Sequence, residues 1–100
     1  MGDRLLNLLI VDDEAGIRMG LSRFFSTRGF SVSLAQDAAE AIRIVDSIEL
    51  DAAVVDVRLQ GRDSGTELLV EIRKRHPEIP VVLITGYGSV ESAVEAIKLG

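Results

Sequence analysis

Cysteine is absent from the sequence, which excludes a disulfide framework and any metal site built on thiolates. Basic residues are in the minority: 11 lysines and arginines stand against 16 aspartates and glutamates, and the net charge of -5 argues against binding to nucleic-acid phosphates. Long apolar runs are also lacking, because the run at residues 8–11 ends in Asp12 and is too short for a signal peptide or a membrane span. We therefore expect a cytoplasmic protein without nucleic-acid or membrane binding.

Short apolar runs alternate with longer segments of helical periodicity along the 100 residues, a length that suits one small domain. The runs at residues 5–11, 52–57 and 81–84 are almost continuously apolar, as is typical of strands covered on both faces of a parallel sheet. Residues 30–34 instead alternate apolar and polar side chains. This alternation predicts a strand with one wetter face at an edge of the sheet.

Helical periodicity predicts four helices, beginning near residues 14, 37, 64 and 89. Asp37 and Ser64 are each followed three residues later by glutamate, which is a capping-box pattern. The apolar stripe of the second helix is predicted to comprise Ala38, Ala41, Ile42, Val45 and Ile48. The order βαβαβαβα implies right-handed crossovers and a parallel sheet with helices on both faces.

Three carboxylates follow the apolar strands. Asp12 and Asp13 end the first predicted strand, and Asp56 lies at the end of the third. Ligands of open α/β sheets bind outside the carboxyl ends of the strands, so the three acids converge if strands one and three are neighbours. Repulsion between the negative charges of such a cluster raises the pKa values of its carboxyl groups unless a cation lies among them. Oxygen ligands without cysteine or a suitably placed histidine point to Mg2+ or a related ion.

Thr85 ends the fourth predicted strand at the same rim of the sheet. Its hydroxyl and the backbone amides of Gly86 and Tyr87 can donate hydrogen bonds to phosphate oxygens. An aspartate nucleophile, a metal ion and a hydroxyl donor are the components of phosphoryl transfer to a carboxylate. The ends of strands one, three and four therefore carry the groups that this chemistry requires.

The motifs at these strand ends together resemble the response-regulator receiver family of two-component signalling. They are LIVDDE at residues 9–14, VVDVRL at residues 54–59 and VLITG at residues 82–86. The resemblance covers the whole chain and implies one receiver domain over residues 1–100, a flavodoxin-like α/β sandwich with strand order 2-1-3-4. It further implies that the fifth strand and helix of the family, and the lysine they carry, are not in this sequence. Residues 85–100 resemble receivers of nitrogen-regulation-type transcriptional activators.

The resemblance also assigns a role to individual residues. Asp12 and Asp13 would hold Mg2+, and Asp56 would be the phosphoacceptor and a further metal ligand. Arg58 would offer its backbone carbonyl to the metal. Two positions depart from the family pattern: Gln60 replaces a usual proline, and the glycine that closes the loop after Asp56 comes one position late, as Gly65.

Partners and switching follow from the same resemblance. Thr85 would be the hydroxyl that binds the phosphoryl group, and Gly86 and Tyr87 would lie in the switch loop. The phosphoryl group would come from a sensor histidine kinase, and the altered surface would act on an output domain or a homodimer partner. The family members are signalling domains, so we expect no enzyme that turns over an external substrate.

Two alternatives stay open at this stage. A degenerate receiver would bind partners without phosphorylation, a reading favoured by the absent lysine and opposed by the retention of all three acids. A Mg2+-dependent aspartyl phosphohydrolase would place its nucleophile after the first strand, with a second acid two residues later and more acids after the fourth strand. Here Asp12 is followed at once by Asp13 and Glu14, and the fourth strand ends in Thr85, which argues against the hydrolase.

Overall fold

A computed structural model of the chain describes residues 5–57, 59 and 64–84. Four strands and three helices alternate within these residues. In chain order they are β1 (Leu6–Val11), α1 (Ala15–Ser26), β2 (Phe30–Ala35), α2 (Ala38–Ser47), β3 (Ala52–Asp56), α3 (Ser64–Arg75) and β4 (Val81–Ile84). The helix predicted to begin near residue 89 lies outside the described residues. Within those residues, each helix is too short to cross a membrane.

The four strands form one parallel sheet in the order β2-β1-β3-β4. The predicted strand order is therefore confirmed, and the first and third strands are direct neighbours. Val11 at the end of β1 pairs with Ala35 of β2 and with Val55 of β3. Asp56 at the end of β3 pairs with Ile84 of β4. The carboxyl ends of β1 and β3 thus meet at one edge of the sheet.

The sheet is covered on both faces, which explains why β1 and β3 are nearly all apolar. Leu9, Val11 and Val55 face α2 and α3 in one core cluster. Leu8, Ile10 and Val54, which alternate with them, face α1 in the other. The edge strand β2 follows the predicted alternation only at its start, because Leu34, predicted on the apolar face, is 39% exposed and Ser33 is partly buried. Its exposed positions are Ser31 and Leu34, while Ala35 is buried.

Helix α2 differs from its predicted apolar stripe at one position. Ala41 and Val45 are buried as expected, but Ile48 is 38% exposed. The helix ends at Ser47, and Ile48 takes an extended backbone conformation as the C-cap residue, which turns its side chain away from the core. Leu50, which is 6% exposed, fills the core at this end of the helix. Placing Ile48 in the stripe was wrong because the helical period does not continue past the C-cap.

The predicted Asp37 cap at the start of α2 is confirmed, although the Glu40 side chain accepts from the residue before the cap and not from Asp37 itself. The backbone amide of Glu40 donates to Asp37 Oδ1 at 2.9 Å, and the amide of Gln36 donates to Glu40 Oε1 at 2.9 Å. The first bond satisfies an amide of the first turn that the helix itself cannot pair, and the second ties Glu40 to the chain before the cap.

Asp37→Ala is expected to lower the free energy of unfolding by about 1 kcal/mol, because one amide of the first turn loses its acceptor. Urea denaturation measures the loss. Asp37→Ser keeps a capping oxygen and serves as the control. Equal stability of the alanine and serine variants would show that the cap contributes nothing.

Candidate functional site

The carboxyl edge of the sheet brings three acids together. One carboxylate oxygen from each of Asp12, Asp13 and Asp56 lies within 4.8 Å of the other two. Parallel pairing of Val11 with Val55 produces this arrangement, because β1 and β3 leave the sheet side by side. Asp12 and Asp56 are 1% and 3% exposed, whereas Asp13 is exposed. Two buried carboxylates and one exposed carboxylate therefore converge at the rim.

Asp12 is held by its backbone and by one side-chain oxygen. Its amide donates to the carbonyl of Ala35 at 3.1 Å, and its own carbonyl accepts from Arg18 Nη1 at 2.7 Å. The amide of Glu14 donates to Asp12 Oδ1 at 2.9 Å. Asp12 Oδ2 is buried and makes no hydrogen bond within the part of the chain that the structure describes. A buried carboxylate oxygen without a donor is costly, and a cation would satisfy it.

The electrostatics of the cluster are clearest at Asp12. Burial first, and then the negative charges of Asp56, Asp13 and Glu14, raise the pKa of Asp12 to about 6, against the lowering effect of the hydrogen bond from the Glu14 amide. The charged form of Asp12 is thus disfavoured in the protein alone. A divalent cation beside the carboxylate reverses this preference, because it interacts only with the charged form.

The donor set fits a hard divalent cation. All three side chains offer carboxylate oxygens, and the sequence contains no cysteine. His76, the one histidine of the sequence, lies just past the far end of α3, where its Nε2 is 3.2 Å from the carbonyl oxygen of Val45. Mg2+ and Ca2+ prefer such oxygen ligands, whereas zinc and copper sites use imidazole or thiolate.

Helix α3 begins in close contact with the backbone that follows β3. The Gly65 amide donates to the Val57 carbonyl at 2.9 Å, and the Val57 amide donates to the Ile84 carbonyl at 2.7 Å. A Cβ atom on Gly65 would overlap the carbonyl oxygen of Asp56 and would lie 2.7 Å from Val57 Cα. Gly65 therefore allows the helix to approach the end of β3, a contact that the sequence did not reveal.

Four of the predicted site residues are not placed by the structure. Arg58, Thr85, Gly86 and Tyr87 all lie outside the described residues. Their roles stay predictions. The sequence reasoning in turn missed Arg18. The available signal was an arginine close behind the acidic pair, near the start of the first helix.

Comparison with known proteins is consistent with this geometry. Residues 8–100 match the family model of the response regulator receiver domain. A putative NtrX-like response regulator of Rickettsia conorii is 40% identical over 96 residues, which cover 95% of this chain and 20% of that protein. The chain thus spans about a fifth of the length of this curated relative.

Solved structures give the same picture. The receiver domain of NtrX from Brucella abortus is 40% identical, with a TM-score of 0.74 over 93% of this chain and 78% of that one. A response regulator from Burkholderia pseudomallei is 30% identical, with a TM-score of 0.76 over 95% of this chain and 55% of that one. That protein was crystallised with a phosphorylated aspartic acid, a calcium ion and citrate.

Proposed function

This chain belongs to the response regulator receiver domain family, and from that premise we propose that Asp56 accepts a phosphoryl group from a sensor histidine kinase, with Mg2+ bound beside it. The observation that carries the proposal is the convergence of Asp56 with Asp12 and Asp13 at the end of β3. A buried carboxylate beside two others is poorly placed for a structural role, because the three charges repel one another. It is well placed to react with a phosphoryl group when a cation balances the charge.

The proposed chemistry is a transfer between two nucleophiles. An Asp56 carboxylate oxygen forms a bond to phosphorus as the bond between phosphorus and the kinase histidine nitrogen breaks, and the histidine leaves with its electron pair. Asp12, Asp13 and Asp56 would hold Mg2+, which neutralises charge on the phosphoryl oxygens when it is bound. The backbone carbonyl of Arg58 would complete the protein ligands.

The Burkholderia pseudomallei structure supports this assignment. It is a response regulator of the same fold, and it holds a phosphorylated aspartic acid together with a calcium ion. Calcium and magnesium both bind to oxygen ligands of the kind found at the end of β1 and β3. The carboxylates of Asp12, Asp13 and Asp56 offer oxygen ligands of this kind.

The proposal extends to the output of the signal. Phosphorylation would draw Thr85 toward the new phosphoryl oxygens, and the loop containing Gly86 and Tyr87 would present a changed surface to an output domain or a homodimer partner. We place this signalling in the cytoplasm and assign to the chain no turnover of an external substrate.

Intact mass tests the proposal after incubation with Mg2+ and acetyl phosphate. The wild type is expected to gain one phosphoryl group, and a chelator of divalent cations is expected to prevent the gain. Asp56→Asn removes the nucleophile at nearly constant shape and is expected to gain nothing. A folded wild type that stays unmodified would refute phosphorylation and favour a phosphorylation-independent binding module. Sustained hydrolysis of a small phosphate ester would instead support a phosphohydrolase.

A further inference from the structure

We propose that Arg18 is a positioning residue for the metal centre, and that it acts through the backbone carbonyl of Asp12. Its Nη1 atom donates to that carbonyl oxygen at 2.7 Å in a partly buried contact. This inference rests on the proposed Mg2+ site and adds to it a residue outside the acidic set.

The contact follows from the direction of side chains in helices. Arg18 lies in the first turns of α1, and helical side chains lean toward the N-terminus of their own helix. The guanidinium therefore reaches back past Glu14 to Asp12, the residue that follows β1. A hydrogen bond from a charged donor is about twice as strong as a neutral one, and partial burial protects this one from water.

The contact orients the two proposed metal-binding side chains that follow β1. The carbonyl of Asp12 belongs to the peptide group that joins Asp12 to Asp13, so fixing its direction also fixes the direction in which Asp13 leaves the strand. On either side of this peptide group, the Asp12 amide donates to the carbonyl of Ala35 and the Glu14 amide donates to Asp12 Oδ1. Arg18 adds a further restraint on the turn.

The choice of acceptor is important for the metal. Arg18 binds a main-chain oxygen, and Asp12 Oδ2 keeps no hydrogen-bond donor among the described residues. A guanidinium bound to this carboxylate oxygen would compete with the cation for it. The observed contact to the main chain instead leaves this carboxylate oxygen available for the metal.

Arg18→Met tests the inference, because methionine keeps an unbranched apolar side chain along α1 and removes the donors. Isothermal titration of the folded 100-residue chain is expected to show a Kd for Mg2+ that is roughly 10–100-fold higher than in the wild type, as for other losses of outer-shell partners. Phosphorylation by acetyl phosphate should slow by a similar factor at limiting Mg2+ and recover at saturating Mg2+. Arg18→Lys, which retains a charged donor, should restore part of the affinity.

Arg23→Met is the matched control, because Arg23 is an exposed residue in the last turn of the same helix. It is expected to bind Mg2+ as the wild type does. An Arg18→Met variant that has a lower melting temperature but an unchanged Kd would overturn the positioning role while the proposed function stands. A wild type that binds no Mg2+ would overturn the proposed function and this inference with it.

Discussion

Asp12→Asn is expected to raise the melting temperature of the metal-free protein by roughly 4–8 °C at pH 7, and to remove the stabilisation that Mg2+ gives the wild type. Asparagine keeps the oxygen that accepts from the Glu14 amide. It replaces the buried, unpaired Oδ2 by an amide group that can donate to a neighbouring carboxylate. The variant thus loses a disfavoured negative charge and gains a donor.

The magnitude follows from the raised pKa of Asp12. An increase from 3.8 to about 6 corresponds to at most about 3 kcal/mol, and screening by solvent at the rim of the site reduces the effect to on the order of 1 kcal/mol. The folded protein holds the Asp12 proton more tightly than the unfolded chain, so this residue destabilises the fold progressively as pH rises from about 4 to 6. The stability gain of Asp12→Asn should therefore be largest above pH 6 and shrink toward pH 4.

Thermal unfolding with and without Mg2+ measures both effects. The wild type should be stabilised by about 2.7 kcal/mol at a Mg2+ concentration of one hundred times Kd. Asp13→Asn serves as a control, since Asp13 is exposed: it should lose the response to Mg2+ with little gain in metal-free stability. A lower melting temperature for metal-free Asp12→Asn at pH 7 would contradict the burial cost assigned to the Asp12 charge.

Gly65→Ala is expected to lower the free energy of unfolding by about 3 kcal/mol and to reduce phosphoryl acceptance by Asp56. The added Cβ would meet backbone atoms of Asp56 and Val57, which cannot move aside as the end of a flexible side chain can. Helix α3 would have to shift away from β3 and lose the hydrogen bond from the Gly65 amide to Val57. Forced overpacking of this kind costs about 1–3 kcal/mol or more.

Gly16→Ala is the matched control for this prediction. Gly16 lies in α1, and nothing lies within 4 Å of a Cβ built on it. The same substitution should therefore stabilise the protein by up to about 1 kcal/mol, because alanine is the better helix former. Urea denaturation of both variants should show opposite changes. Unchanged stability of Gly65→Ala would mean that α3 does not approach β3 as closely as the structure shows.

Much of the fold was predictable because it follows from local patterns. The continuous apolar runs of β1 and β3 require cover on both faces, and the alternation in β2 requires an edge. Element ends were less exact: the third strand was predicted over residues 52–57 and ends at Asp56. The error at Ile48 has the same origin, since the periodicity of a sequence does not show where the last turn of a helix opens.

The convergence of the acids was also predictable, because parallel strands leave a sheet at the same edge. Their chemical differences were not predictable. Asp12 and Asp13 are adjacent and identical in type, yet one is 1% exposed and the other lies open at the rim. Only the packing of the strand ends decides which of the two carboxylates is removed from solvent, and the raised pKa of Asp12 follows mainly from that burial.

By itself, the sequence determined the order of the elements, the parallel sheet and the set of acids at its carboxyl edge, because each of these follows from the type and spacing of nearby residues. The tertiary structure alone decided that Arg18 binds the carbonyl of Asp12 and that Gly65 lies against the backbone of Asp56. The direction of a long side chain and the distance between a helix and a strand depend on how all the elements pack together. The sequence hints at the first contact only through the place of Arg18 near the start of α1, and it does not show the distance between α3 and β3.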